Sequence, residues 1–126
     1  MERIISERIE RELEGGDEFS PELELLMRRA RDASDFLKAV SHESRLIVLC
    51  LLSEKERSVS ELERILSLRQ PTISQQLARL RDDNMVKTRR EGNTIYYSLA
   101  NDEVRKVIAV IYAIFCRPVL KEALEV

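Results

Sequence analysis

Residues Ser58 to Asp83, Ser-Val-Ser-Glu-Leu-Glu-Arg-Ile-Leu-Ser-Leu-Arg-Gln-Pro-Thr-Ile-Ser-Gln-Gln-Leu-Ala-Arg-Leu-Arg-Asp-Asp, read as two short helices joined by a tight turn. Ser58 followed three residues later by Glu61 is a capping box, so a helix starts there. Leu62, Ile65 and Leu66 give it an apolar stripe. The helix is expected to end near Ser67-Leu68-Arg69, because Pro71 disfavours helical geometry in its predecessor and suits the first position of a new helix. In the second helix Ile73, Leu77 and Leu80 share one side and anchor it to a core. Thr72, Gln75 and Arg79 point the other way, with Ser74 and Gln76 on the flanks. Hydroxyl, amide and guanidinium groups on one helix face are the chemistry that reads base edges in a major groove. A solvated helix face would look the same, and the next segment decides between the two.

That segment, Val86 to Leu99, alternates as two β-capable runs around Glu91-Gly92-Asn93. Gly92 and Asn93 are expected to supply the positive φ angles of the turn. Lys87, Arg89 and Arg90 crowd the first strand and the approach to the tip. A helix-turn-helix followed at once by a basic hairpin is a winged helix-turn-helix, a mainly α chain with a β-hairpin wing (α+β).

The block Gln70-Pro71-Thr72-Ile73-Ser74-Gln75-Gln76-Leu77-Ala78-Arg79-Leu80-Arg81, then Val86, Arg89-Arg90-Glu91-Gly92 and Tyr96-Tyr97-Ser98-Leu99, resembles the ArsR/SmtB family of winged-helix bacterial repressors over roughly residues 31–117. The resemblance implies a homodimer on an inverted repeat in double-stranded operator DNA, with two recognition helices about one DNA turn apart. It puts Gln70, Thr72, Ser74, Gln75, Gln76, Arg79, Lys87, Arg89, Arg90 and Asn93 at the DNA. Arg69 departs from the family, which often has a small hydroxyl residue before Gln-Pro; the departure bears on base preference, not on fold.

The charge distribution agrees. The chain of 126 residues has a net charge of −2, which by itself argues weakly against a nucleic-acid partner. Residues 1–24, however, carry nine acids against three arginines, whereas residues 64–90 carry seven bases against Asp82 and Asp83. A basic stretch on an acidic body is the footprint of a phosphate-binding face. The longest uncharged run, Val107 to Cys116, is ten residues and too short to span a bilayer. A charged N-terminus without an apolar stretch argues against a signal peptide. The expectation is a cytoplasmic protein with no membrane partner.

Residues 1–19 form an N-terminal extension, either a short amphipathic helix (Ile4, Ile5, Ile9 and Leu13 at helical spacing) or a frayed tail, ended by Gly15-Gly16. Residues 20–126 make the winged helix-turn-helix domain with its dimerisation helices, about 20–40 and 102–124. Pro21 opens the first of these, and Leu23, Leu26, Met27, Ala30, Ala33, Leu37 and Val40 give it an apolar stripe. Ser41 caps a helix of about Glu43 to Ser53 whose interior, Leu46 to Leu52, is apolar on all sides and is expected to lie deep in the fold. Asn101-Asp102-Glu103 starts the last helix, which Pro118 interrupts. Because Val107 to Cys116 shows no polar face, this helix is expected at a dimer interface with the Pro21 helix.

Members of the resembled family differ in what they sense. A metal sensor of one type would need a Cys-Val-Cys pair near Val59–Leu62, where this chain has Val-Ser-Glu-Leu. Another type needs Asp, His and Glu ligands on the last helix, and residues 104–124 contain no His. The one histidine, His42, opens a helix and reads as structural. With one His and two Cys, a four-ligand zinc site is poorly supplied, so neither a metal nor a cofactor is expected.

The two cysteines, Cys50 and Cys116, each read singly as a small hydrophobe packed in an apolar helix. Their positions match the dithiol of the sulfide- and persulfide-responsive SqrR/BigR-type branch: one in the Leu-rich helix after Arg45-Leu46, the other after an apolar run containing Tyr112 and Phe115. The resemblance implies a sulfane-sulfur inducer that joins the pair in an intrasubunit di- or polysulfide and releases the DNA. A bridge formed in a reducing cytosol is usually a switch, not a staple. Peroxide or a thiophilic metalloid as inducer, with the same DNA-binding dimer, is the alternative. An enzyme is not expected, because the chain lacks Cys-X-X-Cys, a histidine near either thiol in sequence, and a phosphate-cradling Gly loop.

Overall fold

The computed structural model describes residues 3–15, 19–66 and 73–118 of the chain. Its elements in order are α1 (Glu7–Gly15), α2 (Pro21–Val40), α3 (Glu43–Glu54), β1 (Arg57–Ser58), α4 (Val59–Leu66), α5 (Ile73–Asp82), β2 (Val86–Glu91), β3 (Thr94–Leu99), α6 (Asp102–Ile111) and a π-helical turn (Tyr112–Cys116). The chain divides into two compact units, residues 1–38 and 39–126.

In the first unit Ser6 starts α1 by accepting the Ile9 N–H on its hydroxyl at 3.3 Å, and Ser20 does the same for Leu23 at 3.2 Å at the start of α2. The two helices are linked by Ser20 Oγ donating to Glu12 at 2.8 Å and by an ion pair of Arg8 with Glu22.

The second unit is the winged helix-turn-helix. The capping box that opens α4 is formed: Ser58 Oγ accepts from the Glu61 N–H at 3.1 Å, and the Glu61 carboxylate accepts from the Ser58 N–H at 3.4 Å. Helix α4 buries Leu62 and Leu66 but leaves Ile65 43% exposed, so its stripe is narrower than expected. Helix α5 buries Ile73, Leu77 and Leu80. The expected end of α4, the Pro71 start of the next helix, and Gln70 and Thr72 lie outside the described residues. The sheet has the order β1-β3-β2, all antiparallel, with Arg89 opposite Tyr96 and Glu91 opposite Thr94. Val48, Leu49 and Leu52 of α3, Met85 just before the hairpin, Val86, Tyr97 and Leu99 of the hairpin, and Val104 and Ile108 of α6 complete the core.

A Schellman motif joins α5 to the wing. The Met85 N–H donates to the Leu80 carbonyl at 2.9 Å, the Asn84 N–H donates to Arg81 at 3.0 Å, and Asn84 sits at φ 59°. Leu80 and Met85 are both buried, the apolar contact that accompanies this cap. The next strand therefore leaves α5 in a fixed direction.

Four expectations are corrected. Only Gly92 of the hairpin turn has positive φ, at 61°; Asn93 does not, so the two-residue loop follows the type II′ pattern, in which the first position alone needs it. Helix α3 is not buried all round: Leu46, Cys50 and Leu51 are half-buried and Ile47 is 46% exposed, because α6, α5 and β3 cover one side of it. The cap of α3 is His42, not Ser41, its side chain accepting from the Ser44 N–H. In α6 and the turn after it, Val110, Ile114 and Phe115 are 57%, 61% and 69% exposed in the single chain, the unpartnered apolar surface that its sequence implies. Last, the helix widens into a π turn, the Arg117 N–H reaching back to Tyr112 O, and helical geometry persists through Pro118. A proline ring crowds the carbonyl four residues back in a regular helix, and a widened turn upstream relieves that crowding. Among the described residues no helix is long and apolar enough to cross a membrane.

The left-handed position at Asn84 gives a stability test. Asn84→Gly is expected to leave the urea unfolding midpoint nearly unchanged. Asn84→Val should lower stability by roughly 1–2 kcal/mol, the cost of a β-branched residue in this region.

Candidate functional site

With Ile73, Leu77 and Leu80 buried, α5 turns Ser74, Gln75 and Arg79 to solvent, as the 3.6-residue period requires. Arg79 is tethered to Asp83 one turn on, Nε donating to Oδ2 at 3.1 Å. Gln76 is half-buried; its Oε1 is sealed from water and has no hydrogen-bond partner among the described residues. It therefore lies at the edge of the exposed face of α5.

The three bases of β2 are not equivalent. Lys87 and Arg90 are exposed and hold no carboxylate among the described residues, Arg90 donating instead to the Gly92 carbonyl at 3.3 Å. Arg89 is paired on two sides. Its Nη2 donates to Glu56 at 2.7 Å and its Nε to the other oxygen of Glu56 at 3.2 Å, while Nη1 donates to Glu91 at 2.9 Å. Its guanidinium also lies 4.6 Å from the centre of the Tyr96 ring. Hydrogen bonding from Arg89, with its charge and that of Lys87, holds the Glu56 carboxyl below the usual carboxylate range.

Asn93 at the wing tip and Ser74 on α5 meet in an open cleft of about 400 Å³. Ser60 and Thr94 add two more neutral polar groups to it, and Leu77 and Tyr97 are among its apolar lining. Glu56, Tyr96, Ser60 and Thr94 were not expected as parts of this surface. Tyr96 follows from the hairpin register, which sets it opposite Arg89, and Glu91 shares a strand face with Arg89. Glu56 is 33 residues from Arg89 and no local pattern signals it.

Cys50 on α3 and Cys116 at the end of the π turn are both free thiols and both half-buried. Burial pushes the Cys50 thiol up, and negative charge on Cys116, then on Glu54, adds to it. Helix α3, which carries Cys50, packs against α6, and the π turn that ends at Cys116 continues α6. Arg117 is 5.9 Å from the centre of the Tyr112 ring. His42 caps α3, its Nδ1 lying 3.3 Å from the Ser44 N–H and 2.6 Å from the Ser44 hydroxyl. Among the described residues no group of three or more His, Cys, Asp or Glu could hold a metal ion.

Because both burial and a neighbouring negative charge disfavour the thiolate, Cys50 should alkylate with iodoacetamide only at higher pH than an ordinary thiol. Cys116→Ser should move that onset down, but not fully, since burial is the larger cause. An onset indifferent to Cys116→Ser would mean that the two sulfurs do not interact.

A family model described as bacterial regulatory protein, arsR family, matches residues 42–88, from the α3 cap to the first wing strand. The chain is 44% identical over 110 residues to the biofilm growth-associated repressor of Agrobacterium fabrum, covering 87% of this chain and 92% of that protein. The structure is similar to that of reduced HlyU from Vibrio cholerae, with a TM-score of 0.69 and 39% identity over 75% of this chain and all of that one. It is also similar to the transcriptional repressor BigR from Xylella fastidiosa, with a TM-score of 0.65 and 41% identity over 74% of this chain and 95% of that one. At this identity and coverage, and with the helix-turn-helix and wing in place, the chain belongs to the arsR family of bacterial regulatory proteins.

Proposed function

We propose that the protein is a homodimeric repressor that binds an inverted-repeat operator and leaves it when a persulfide joins Cys50 to Cys116 within each subunit. The observation that carries this reading is the placement of two half-buried free thiols, Cys50 on α3 and Cys116 in the turn that continues α6, the helix packed against α3. The chemistry is self-contained. One cysteine thiolate attacks the sulfane sulfur of a persulfide RSSH, giving a protein persulfide and the thiol RSH. The second thiolate then attacks the Sγ of the first cysteine and expels the outer sulfur as hydrogen sulfide. The sum is two thiols plus RSSH giving a disulfide, RSH and hydrogen sulfide, with the persulfide reduced and the cysteines oxidised. A second RSSH consumed in the same way leaves an additional sulfur in the bridge, with another RSH released.

Two relatives support the regulatory half of the reading by name, one a biofilm growth-associated repressor and one the repressor BigR. One related structure is described as reduced HlyU, a description in keeping with a redox-responsive regulator. The open apolar side chains Val110, Ile114 and Phe115 support a two-fold partner along the last helix, since patches of this kind mark interaction sites. Exposed Ser74, Gln75 and Arg79 suit base readout, and exposed Lys87 and Arg90 suit phosphate.

Intact-mass spectrometry of the reduced protein after a low-molecular-weight persulfide tests the sensor, with peroxide and arsenite in parallel. The expected product is a Cys50–Cys116 cross-link, part of it carrying extra sulfur, formed with persulfide and little with the other two. Absence of any cross-link would return both cysteines to a packing role. For the DNA half, Gln75→Ala is expected to reduce the preference for operator over random DNA by a factor equivalent to about 1–3 kcal/mol. Lys87→Ala should weaken binding to both DNAs alike and flatten the salt dependence by about one unit per wing.

A further inference from the structure

The bidentate partner of Arg89 comes from outside the wing. Glu56 belongs to the segment joining α3 to β1, and both of its oxygens face the guanidinium, at 2.7 and 3.2 Å. A carboxylate that takes Nε and Nη2 side by side occupies the positions an arginine would offer a DNA phosphate. Glu91 takes Nη1, and the Tyr96 ring lies against the guanidinium plane. The wing strand therefore presents less charge than its sequence suggests. Lys87, Arg89 and Arg90 stand against Glu56 and Glu91, leaving a net of one positive charge where three bases are written.

We propose that Glu56 is an internal stand-in for a DNA phosphate, competing for Arg89 so that each wing engages DNA by exchanging one oxyanion for another. The proposal rests on the DNA-binding reading above and adds a residue that tunes its affinity. The exchange is feasible because the pair is open to water: the side chains of Arg89 and Glu56 are 50% and 35% exposed. Exposed pairs are weak, and this one holds back affinity by a factor of roughly 1.5–5 per wing. Glu56 remains charged at neutral pH, since Arg89 holds its carboxyl low. When Arg89 moves to a phosphate it displaces a condensed cation from the DNA, while the freed Glu56 attracts one back. That return uptake makes the salt dependence of the native protein shallower than its count of phosphate contacts implies.

The test uses the full-length protein, a labelled random-sequence duplex and fluorescence anisotropy over a salt series, so no operator need be known. Glu56→Gln keeps the size and a hydrogen-bonding oxygen but removes the competing charge. The expected result is tighter binding, about 1.5–5-fold per wing, and a steeper salt slope by up to about one unit per wing. Glu56→Gln combined with Arg89→Gln should lose that gain, showing that it acts through Arg89. Weaker binding by Glu56→Gln would overturn the proposal and make Glu56 a residue that holds the wing in place. Unchanged affinity and slope would overturn it too. If the native protein fails to bind the duplex at low salt, the DNA-binding reading itself fails and takes this proposal with it.

Discussion

The last turn of α3 is where the second unit is held together. A helix end leaves carbonyls without partners, and here three different groups supply donors. Arg57, just past the helix, donates from Nε to Leu51 O at 3.0 Å; Arg105 of α6 donates to Ser53 O at 2.7 Å; and the Ser53 hydroxyl turns back to Cys50 O at 2.6 Å. This end of α3 carries Cys50 and leads through Glu56 into β1. Loss of Arg57 would leave the part-buried Leu51 carbonyl without this donor. An abandoned hydrogen-bonding group costs more than the bond was worth.

From that joint the fold propagates through pairing. Strand β1 contributes only Arg57 and Ser58, yet they pair with Tyr97 and Tyr96 of β3, and Ser58 also caps α4. One residue is thus shared by the sheet and the helix-turn-helix. On the far side, the Schellman turn at Asn84 delivers Met85, whose carbonyl accepts the Ala100 N–H at 2.9 Å. The reading helix is fixed to the sheet at its far end by backbone bonds, not by its exposed side chains, which leaves Ser74, Gln75 and Arg79 available to a ligand.

Much of this was legible in the chain. The Ser58–Glu61 box, the Ile73/Leu77/Leu80 stripe and the Asn101 cap are local patterns, and each is realised as written, Asn101 accepting the Val104 N–H at 2.9 Å. What could not be read depended on groups distant in sequence or on competition between local preferences. An all-apolar stretch such as Leu46 to Leu52 states that burial is favourable but not which neighbours are available, and the single chain covers only one side of it. The Gly92-Asn93 pair is compatible with two hairpin turns, and strand twist does not separate them. A π turn carries no composition signal. For the candidate site, α5 and the wing were legible as a basic face, and both cysteines stood out by being few. The pairing of Arg89 with Glu56 was hidden because charge along a sequence does not say which charges cancel.

Two kinds of arginine therefore do different work in this chain. The Arg57 side chain is 11% exposed and spends its Nε on the Leu51 carbonyl; a carbonyl cannot leave, and no anion from outside improves on a partner already desolvated. Arg89 is half exposed and bound to carboxylates that water already solvates, so a phosphate can replace them at little cost. Permanence follows burial, and exchangeability follows exposure. A DNA-binding surface needs its cations on the exchangeable side of that divide, whereas a helix end that must stay joined to its neighbours needs them on the other.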